Sequence, residues 1–205
     1  MKKVYYFDMG LCDGIELKWI VEDIFPSLGI ENYHAYGFEP CADFYNNIVD
    51  YFADNKNVTI INSAISNENG IKKLYYSWQS KEGHSLFDSK INVSKDKYEN
   101  VSCIKFSDYL DGIPDITSCF NILRFNIEGA EWDLINDMLE SGYRDAIDIF
   151  CGAGDDVDKI EEYKGKTHKY YNALKDNDIV IRKFCAIYKE SKDKIQKIIK
   201  SQMGI

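Results

Sequence analysis

Residues 4–14 of the chain read VYYFDMGLCDG, an apolar run that ends at an acidic residue and a glycine-bearing turn. A short apolar run bounded by turn signals predicts a buried strand. Apolar residues then recur at helical spacing over 14–25, and Pro26 follows, which predicts a helix that ends there. Residues 4–25 therefore predict a β-α unit.

The same alternation continues along the chain. Further strands are predicted over 33–38, 58–61, 70–78, 100–105, 120–127 and 146–151, and further helices over 42–53, 129–140, 156–176 and 191–201. Residues 179–188 predict two strands or a hairpin, and the polar segment 79–98 predicts a long loop of the kind that often serves a binding site. Alternating strands and helices predict an α/β fold with a mostly parallel sheet covered on both faces. Because no linker or repeat interrupts the pattern, residues 1–205 are predicted to form a single domain.

Composition excludes several classes of partner. The net charge of −9 should repel phosphate backbones, so we expect no nucleic-acid partner. The six cysteines form no C-x-x-C pair, which favours free thiols in a reducing compartment over a zinc site. The first residues lack the apolar core of a signal peptide, and no run approaches the ~20 apolar residues of a membrane span. We therefore expect a cytoplasmic protein with no membrane partner.

The turn after the first strand is the first candidate binding element. Gly10 and Gly14 allow the backbone to turn sharply and to approach a ligand closely. The helix that follows would point its N-terminal N–H groups at that ligand. The turn is not G-x-G-x-x-G, and a plain strand-to-helix turn explains it equally well.

Polar residues also follow the next strands of the predicted sheet. Glu39 ends the second strand, where a carboxylate can accept hydrogen bonds from both hydroxyls of a ribose, or can complement the dipole of the next helix. Ser63 ends the third strand, where a small residue leaves room for a flat base. Asn126 and Glu128 end the strand over 120–127, and polar groups this dense at the end of an apolar strand must be solvated or bind something.

Four segments in this order resemble the FkbM family of S-adenosylmethionine-dependent methyltransferases. They are FDMGLCDG (7–14), YGFEP (36–40), NSAISNENG (62–70) and LRFNIEGAEWDLI (123–135), and the last is the most specific. The resemblance covers roughly residues 4–135. It implies a Rossmann-like class I methyltransferase fold, with a mostly parallel seven-stranded sheet whose final strand is antiparallel and with helices on both faces.

The resemblance also implies a cofactor, a site and a reaction. The cofactor would be S-adenosylmethionine, whose sulfonium methyl group would be transferred to a hydroxyl of a small molecule or of a sugar in a glycan precursor, with S-adenosylhomocysteine as the leaving group. The methionine end would meet Asp8 and Gly10, the ribose Glu39, and the adenine residues 63–65. The full predicted cofactor site comprises Asp8, Gly10, Leu11, Cys12, Gly14, Glu39, Pro40, Ser63, Ala64, Ile65 and Asn126.

The chain departs from the family pattern at several positions. Family members usually carry Asn in place of Cys12, Lys in place of Arg124 and Asp in place of Asn126. After the strand predicted over 146–151, residues 151–156 read CGAGDD, where an acidic residue followed by histidine is expected. An amide cannot act as a general base, so any mechanism that relies on an aspartate at position 126 is in question.

An aliphatic hydroxyl must lose its proton during methyl transfer, and a base within hydrogen-bond reach would assist. The catalytic candidates are Glu128, His84 and Glu131, in that order, with Asn126 beside them. A helix N-terminal charge explains Glu128 and Glu131 about as well, and His84 also fits an ordinary loop residue. Asp155, Asp156 and Asp158 resemble a magnesium ligand set, but acidic residues are common at a helix start, and no metal is predicted.

Two other functions stay open. The sequence YNALK (171–175) has the Y-x-x-x-K spacing of short-chain dehydrogenases, which would make the chain a nicotinamide-dependent reductase. Alternatively, the chain is an S-adenosylmethionine-binding module without catalysis, in which Asn126 marks a lost aspartate. The sequence does not decide between a monomer and a homodimer.

Overall fold

The computed structural model describes residues 2–188 and 190–205. Nine strands are found in these ranges: β1 Val4–Met9, β2 Tyr33–Phe38, β3 Val58–Ile61, β4 Ala64–Ile65, β5 Gly70–Ser77, β6 Val93–Ile104, β7 Phe120–Phe125, β8 Ile149–Gly152 and β9 Ile181–Lys183. The first helix, α1, joins Ile15–Lys18, a π-helical stretch Trp19–Ile24 and Phe25–Ser27. The others are α2 Ala42–Tyr51, α3 Phe106–Leu110, α4 Glu131–Ser141, α5 Thr167–Asp176 and α6 Glu190–Met203.

The main sheet has six parallel strands in the order β3-β2-β1-β7-β8-β9. This confirms the predicted parallel α/β sheet, and its order corresponds to the 3-2-1-4-5-6 arrangement of doubly wound folds. The strand order reverses between β1 and β7: β2 and β3 lie on one side of β1, and β7, β8 and β9 lie on the other. In such folds the ligand crevice lies beyond the carboxyl ends of the strands at that reversal.

Alternate residues of the strands pack on opposite faces of the sheet. In β1, Val4 and Tyr6 face one core with α1, α2 and α6, while Tyr5, Phe7 and Met9 face a second core with α3, α4 and α5. All six residues of β1 and all six of β7 are buried. Burial on both faces is the reason that these strands read as continuous apolar runs.

A smaller sheet in the order β4-β6-β5 stands beside the main one. Its β5 and β6 pair antiparallel from Gly70↔Cys103 to Ser77↔Val93. The predicted loop over 79–98 was therefore wrong in its last six residues, 93–98, which belong to β6. This part of the strand does not read as apolar because many of its residues are exposed and charged, which an antiparallel sheet tolerates.

Three further predictions were wrong. The sheet has six strands rather than seven, and β9 runs parallel to β8, so the expected antiparallel strand is not found in the described residues. Residues 184–188 leave the sheet because Phe184 is buried in the core and the chain turns into α6. The predicted helix 156–176 is broken into two 3₁₀ turns and α5, with Gly165 in the left-handed region at φ +73°.

Within the described residues, no helix combines the length and apolar character needed to cross a bilayer.

Candidate functional site

A cavity of about 370 Å³ lies at the carboxyl ends of the main-sheet strands, at the reversal between β1 and β7. That volume is within the range of small-molecule sites. Most of its lining belongs to three groups of residues: the strand ends and turns of the main sheet, residues in the segment 79–92 (the wall segment), and residues 185–187 after β9. Phe44, Leu74 and Lys159 complete it. Of the predicted cofactor residues, the cavity brings together Gly10, Leu11, Cys12, Glu39, Pro40, Ser63, Ala64, Ile65 and Asn126.

The turn after β1 forms the centre of the cavity floor. Gly10 has a φ of +79°, and a Cβ atom there would overlap the backbone carbonyl oxygen of Asn126. Its N–H donates to Phe38 O over 3.0 Å, while the N–H of Asn126 donates to Met9 O over 2.9 Å. The ends of β1, β2 and β7 are thus joined by backbone hydrogen bonds. Only glycine allows this approach, so the predicted sharp turn at position 10 is confirmed, while the approach to a ligand stays a prediction.

Glu39 is the carboxylate at the end of β2. It is buried, and its two oxygens accept the backbone N–H groups of Cys12 (2.8 Å) and Cys41 (2.9 Å). A carboxylate offers about four lone-pair sites, so each oxygen keeps capacity for another donor. Burial raises the pKa of Glu39 to about 7, although the two N–H donors act in the opposite direction. The residue is therefore held rigidly at the cavity, with acceptor capacity left for a ligand.

The β3 side of the cavity is small and mostly apolar. Ser63, Ala64 and Ile65 are buried and line the cavity next to Phe38. The Asn62 amide donates to Glu39 O over 2.9 Å and ties this turn to the end of β2. A flat aromatic group would meet apolar surface here, with one hydroxyl group beside it.

A buried ionic cluster lies under the β1 turn. Arg124 is 2% exposed and donates through Nη1 to Asp8 Oδ1 and to Gly10 O, both over 2.8 Å. Its Nη2 lies 3.2 Å from Glu16 Oε1, and Tyr6 donates its hydroxyl to Asp8 Oδ2 over 2.9 Å. Asp8 and Arg124 are direct partners across β1 and β7, so their side chains emerge on the same face.

Two predicted cofactor residues, Asp8 and Gly14, do not line the cavity. The Asp8 side chain lies in the ionic cluster, fully buried, with its charge opposed by Arg124. Burial raises the pKa of Asp8 to about 6, despite the opposite effect of Arg124. Arg124 and Glu16 line the cavity instead. The departure from the family pattern at position 124 is the only sequence signal for Arg124, and Glu16, an acid in the first turn of α1, carries none.

His84 lies in the wall segment and lines the cavity, as the sequence suggested. Its Nδ1 accepts the backbone N–H of Ser77 over 3.1 Å, and its ring stacks on Tyr76 with centroids 4.7 Å apart. Burial, and to a smaller extent Lys90, lower the pKa of the imidazole. In the neutral form, Nδ1 is the acceptor and Nε2 carries the proton. His84 is thus arranged to donate to a ligand, which disfavours it as a base.

Glu128 reaches the cavity from the turn after β7, in the left-handed region at φ +55°. Its Oε2 forms an ion pair with the buried ammonium of Lys90, which also donates to Gly83 O over 3.1 Å. Ser85 Oγ donates to Glu128 O over 2.6 Å. Burial, followed by the nearby Asp156, raises the pKa of Glu128, while Lys90 opposes the shift. Glu128 and the wall segment are therefore locked together by an ion pair that the sequence did not reveal.

Glu131 lies away from the cavity lining. It is fully buried, and its oxygens accept the backbone N–H groups of Ile127 (3.1 Å) and Gly129 (2.8 Å). Burial raises its pKa to about 8. This geometry gives Glu131 the role of shaping the turn before α4, with no access to a substrate. Asn126 does line the cavity, but its amide cannot take up a proton.

The other candidate groupings do not assemble at the cavity. Asp156 pairs with Lys159, and Asp158 accepts the Tyr171 hydroxyl over 2.7 Å. Among residues 2–188 and 190–205, no three side chains of metal-binding type converge. The tyrosine of the Y-x-x-x-K pattern is turned towards Asp158 and does not line the cavity.

The fold and the cavity define an α/β protein with a ligand-sized crevice at the reversal point of a six-stranded parallel sheet. Comparison with protein-family models, with curated proteins and with solved structures finds no match for this chain. The function must therefore be argued from the site itself.

Proposed function

We propose that the chain is an S-adenosylmethionine-dependent methyltransferase that acts on a hydroxyl group, in line with the resemblance to the FkbM family. The observation that carries the proposal is the joint position of Glu39 and the Gly10 turn at one cavity. Glu39 would accept both ribose hydroxyls, the space beside Ser63 and Ile65 would take the adenine, and the ligand chain would cross the Gly10 turn, which lines the cavity between them. The residues present fit this cofactor.

The charge along the cavity supports a cationic ligand. The described lining contains five carboxylates (Asp13, Glu16, Glu39, Glu82 and Glu128) and three cations (Lys81, Arg124 and Lys159). An excess of carboxylates favours a sulfonium ion and disfavours the pyrophosphate of a dinucleotide. The bound cofactor would supply an already electrophilic methyl group, so the protein's task is to orient the acceptor and to accept its proton.

Glu128 is the proposed base. It lines the cavity, and Lys90 holds one of its two oxygens, which leaves the other for an acceptor hydroxyl. His84 would donate a hydrogen bond through Nε2, because Ser77 occupies Nδ1. The acceptor is proposed to be a small molecule or a sugar hydroxyl, as the resemblance implies.

Calorimetry with S-adenosylhomocysteine tests the cofactor assignment. We expect the wild type to bind and Glu39→Ala to lose affinity tenfold or more, because two ribose hydroxyls lose a charged acceptor. A hydrogen bond to a charged group contributes about 1.5–3 kcal/mol. Asp43→Ala is the matched control, since this exposed acid lies in the first turn of α2 and does not line the cavity. Unchanged affinity of Glu39→Ala would contradict the ribose assignment.

A second candidate, the nicotinamide-dependent reductase, is favoured by the strand order alone, which matches dinucleotide-binding folds. Titration with NADH and NADPH under the same conditions separates the two. Binding of either, with no binding of S-adenosylhomocysteine, would replace the proposal. Methyl-donor consumption in a screen over nucleotide sugars then separates a methyltransferase from a binding module without catalysis.

A further inference from the structure

One end of the cavity carries a pair of opposite charges. Arg124, at the end of β7, and Glu16, in the first turn of α1, both line the cavity and lie 3.2 Å apart at Nη2 and Oε1. Both side chains are almost entirely buried. They are brought together by the β1 turn, because Arg124 donates to Gly10 O over 2.8 Å.

Both side chains keep hydrogen-bonding capacity that the protein does not use. The two Nη1 bonds of Arg124 go to Asp8 and Gly10, whereas its buried Nε has no partner among the described residues. Glu16 uses Oε1 for Arg124 and for the Ala186 N–H (2.7 Å), and no hydrogen bond to its Oε2 is found within the described ranges. A buried polar atom without a partner, such as Arg124 Nε, is rare in folded proteins and calls for an explanation. Glu16 Oε2 is not among the buried unpartnered atoms, and Glu16 lines the cavity.

The position of this pair fits the far end of an adenosyl ligand. Glu39 ends β2 and Arg124 ends β7, two strand spacings away across β1, which corresponds to roughly 10 Å. A ligand whose ribose lies on Glu39 and whose chain crosses the Gly10 turn would therefore end at Arg124 and Glu16. The end of such a ligand is an α-amino acid, which carries one carboxylate and one ammonium group.

We propose that Arg124 and Glu16 together bind the zwitterionic amino-acid end of the ligand, with the carboxylate on Arg124 and the ammonium on Glu16. The inference rests on the proposed function and assigns a part of the same site. A zwitterion adds no net charge to the buried cluster, so its carboxylate can add to Arg124 and its ammonium to Glu16 Oε2 without leaving a charge uncompensated. Asp8, which the resemblance placed at the methionine end, instead supports Arg124 from beneath.

The experiment compares two probes that differ at this end. S-adenosylhomocysteine carries the amino-acid group, and 5′-methylthioadenosine lacks it. In calorimetry on the full chain, the wild type should bind S-adenosylhomocysteine about tenfold or more tightly than 5′-methylthioadenosine, because only the former can form the charge-assisted hydrogen bonds. Glu16→Gln should reduce the affinity for S-adenosylhomocysteine about tenfold and should change the affinity for 5′-methylthioadenosine by less than about threefold. Glu22→Gln, an exposed acid further along α1, should change neither.

Arg124→Met should reduce the same preference, with circular dichroism as a check on folding. If that variant does not fold, Glu16→Gln decides alone. Equal weakening of both probes by Glu16→Gln, or no weakening of either, overturns the inference while the methyltransferase proposal stands. Failure of the wild type to bind either probe overturns both.

Discussion

The main sheet and the small sheet contribute to the same cavity in different ways. Strands β1 and β7 of the main sheet are buried along their whole length, and their ends supply a floor fixed by backbone hydrogen bonds. The small sheet is largely exposed and carries the wall segment, which is held to the turn after β7 by side chains of Lys90 and Ser85 and to Lys159 by the Ile91 N–H. The floor is thus built from backbone geometry, and the wall depends on a few polar contacts.

The largest effect is expected from Gly10→Ala in the floor. The new Cβ would overlap Asn126 O, and the residue would also be held at φ +79°. Backbone overlap and left-handed strain together should cost about 4 kcal/mol in free energy of unfolding, measured by denaturant titration. Gly142→Ala is the matched control, because Gly142 has the same φ of +79° and open space around it, so its cost should be about 1 kcal/mol. Equal costs would show that steric overlap plays no part.

Lys90→Met should have the next largest effect, in the wall. It leaves the carboxylate of Glu128 beside Asp156 without its buried partner. We expect a loss of about 3 kcal/mol, the lower end for breaking a buried pair. The double variant Lys90→Met with Glu128→Gln should recover part of that loss, while Lys97→Met on the exposed face of β6 should cost under about 0.5 kcal/mol. A double variant less stable than Lys90→Met would contradict the pairing.

The affinity for S-adenosylhomocysteine should depend on pH through Glu39. Burial raises its pKa to about 7, and ribose hydroxyls need the carboxylate form as acceptor. The protonated form gains population as the pH falls through 7, so affinity should fall about tenfold between pH 8 and pH 6. The measurement is calorimetry over that range. Glu39→Gln should flatten the profile, and a flat wild-type profile would refute the assignment.

The smallest effect is expected from Trp78→Ala, at the end of the small sheet. Trp78 is 66% exposed and does not line the cavity. The free energy of unfolding should change by under about 0.5 kcal/mol, and S-adenosylhomocysteine affinity should not change. A large loss of affinity would place the ligand closer to the small sheet than the floor residues suggest.

The floor could be predicted from sequence because its signals are local. The apolar runs of β1, β2, β3 and β7 each end at a turn or a polar group, and parallel strands bring those ends to one edge. Gly10 and Glu39 were identified in this way. The cofactor assignment itself stays a prediction until binding is measured.

The wall and the ionic cluster could not be predicted because their partners are distant in sequence. Lys90 reads as an ordinary loop lysine until the fold places it against Glu128, 38 residues later. Glu16 reads as a helix N-terminal charge until Arg124 is set beside it. The error at residues 184–188 has a similar cause, since Glu16 captures the Ala186 N–H and Phe184 enters the core.

The carboxylate of Glu16 also has a consequence for the order of assembly. It links position 16 to Ala186, 170 residues away, and Arg124 reaches Asp8 over a separation of 116 residues. Closing such long segments of chain is slow and comes late in folding. A ribosome-bound chain would therefore hold Asp8 and Glu16 without their partner until β7 emerges. Pausing of synthesis before residue 124 should leave this part of the nascent protein sensitive to protease.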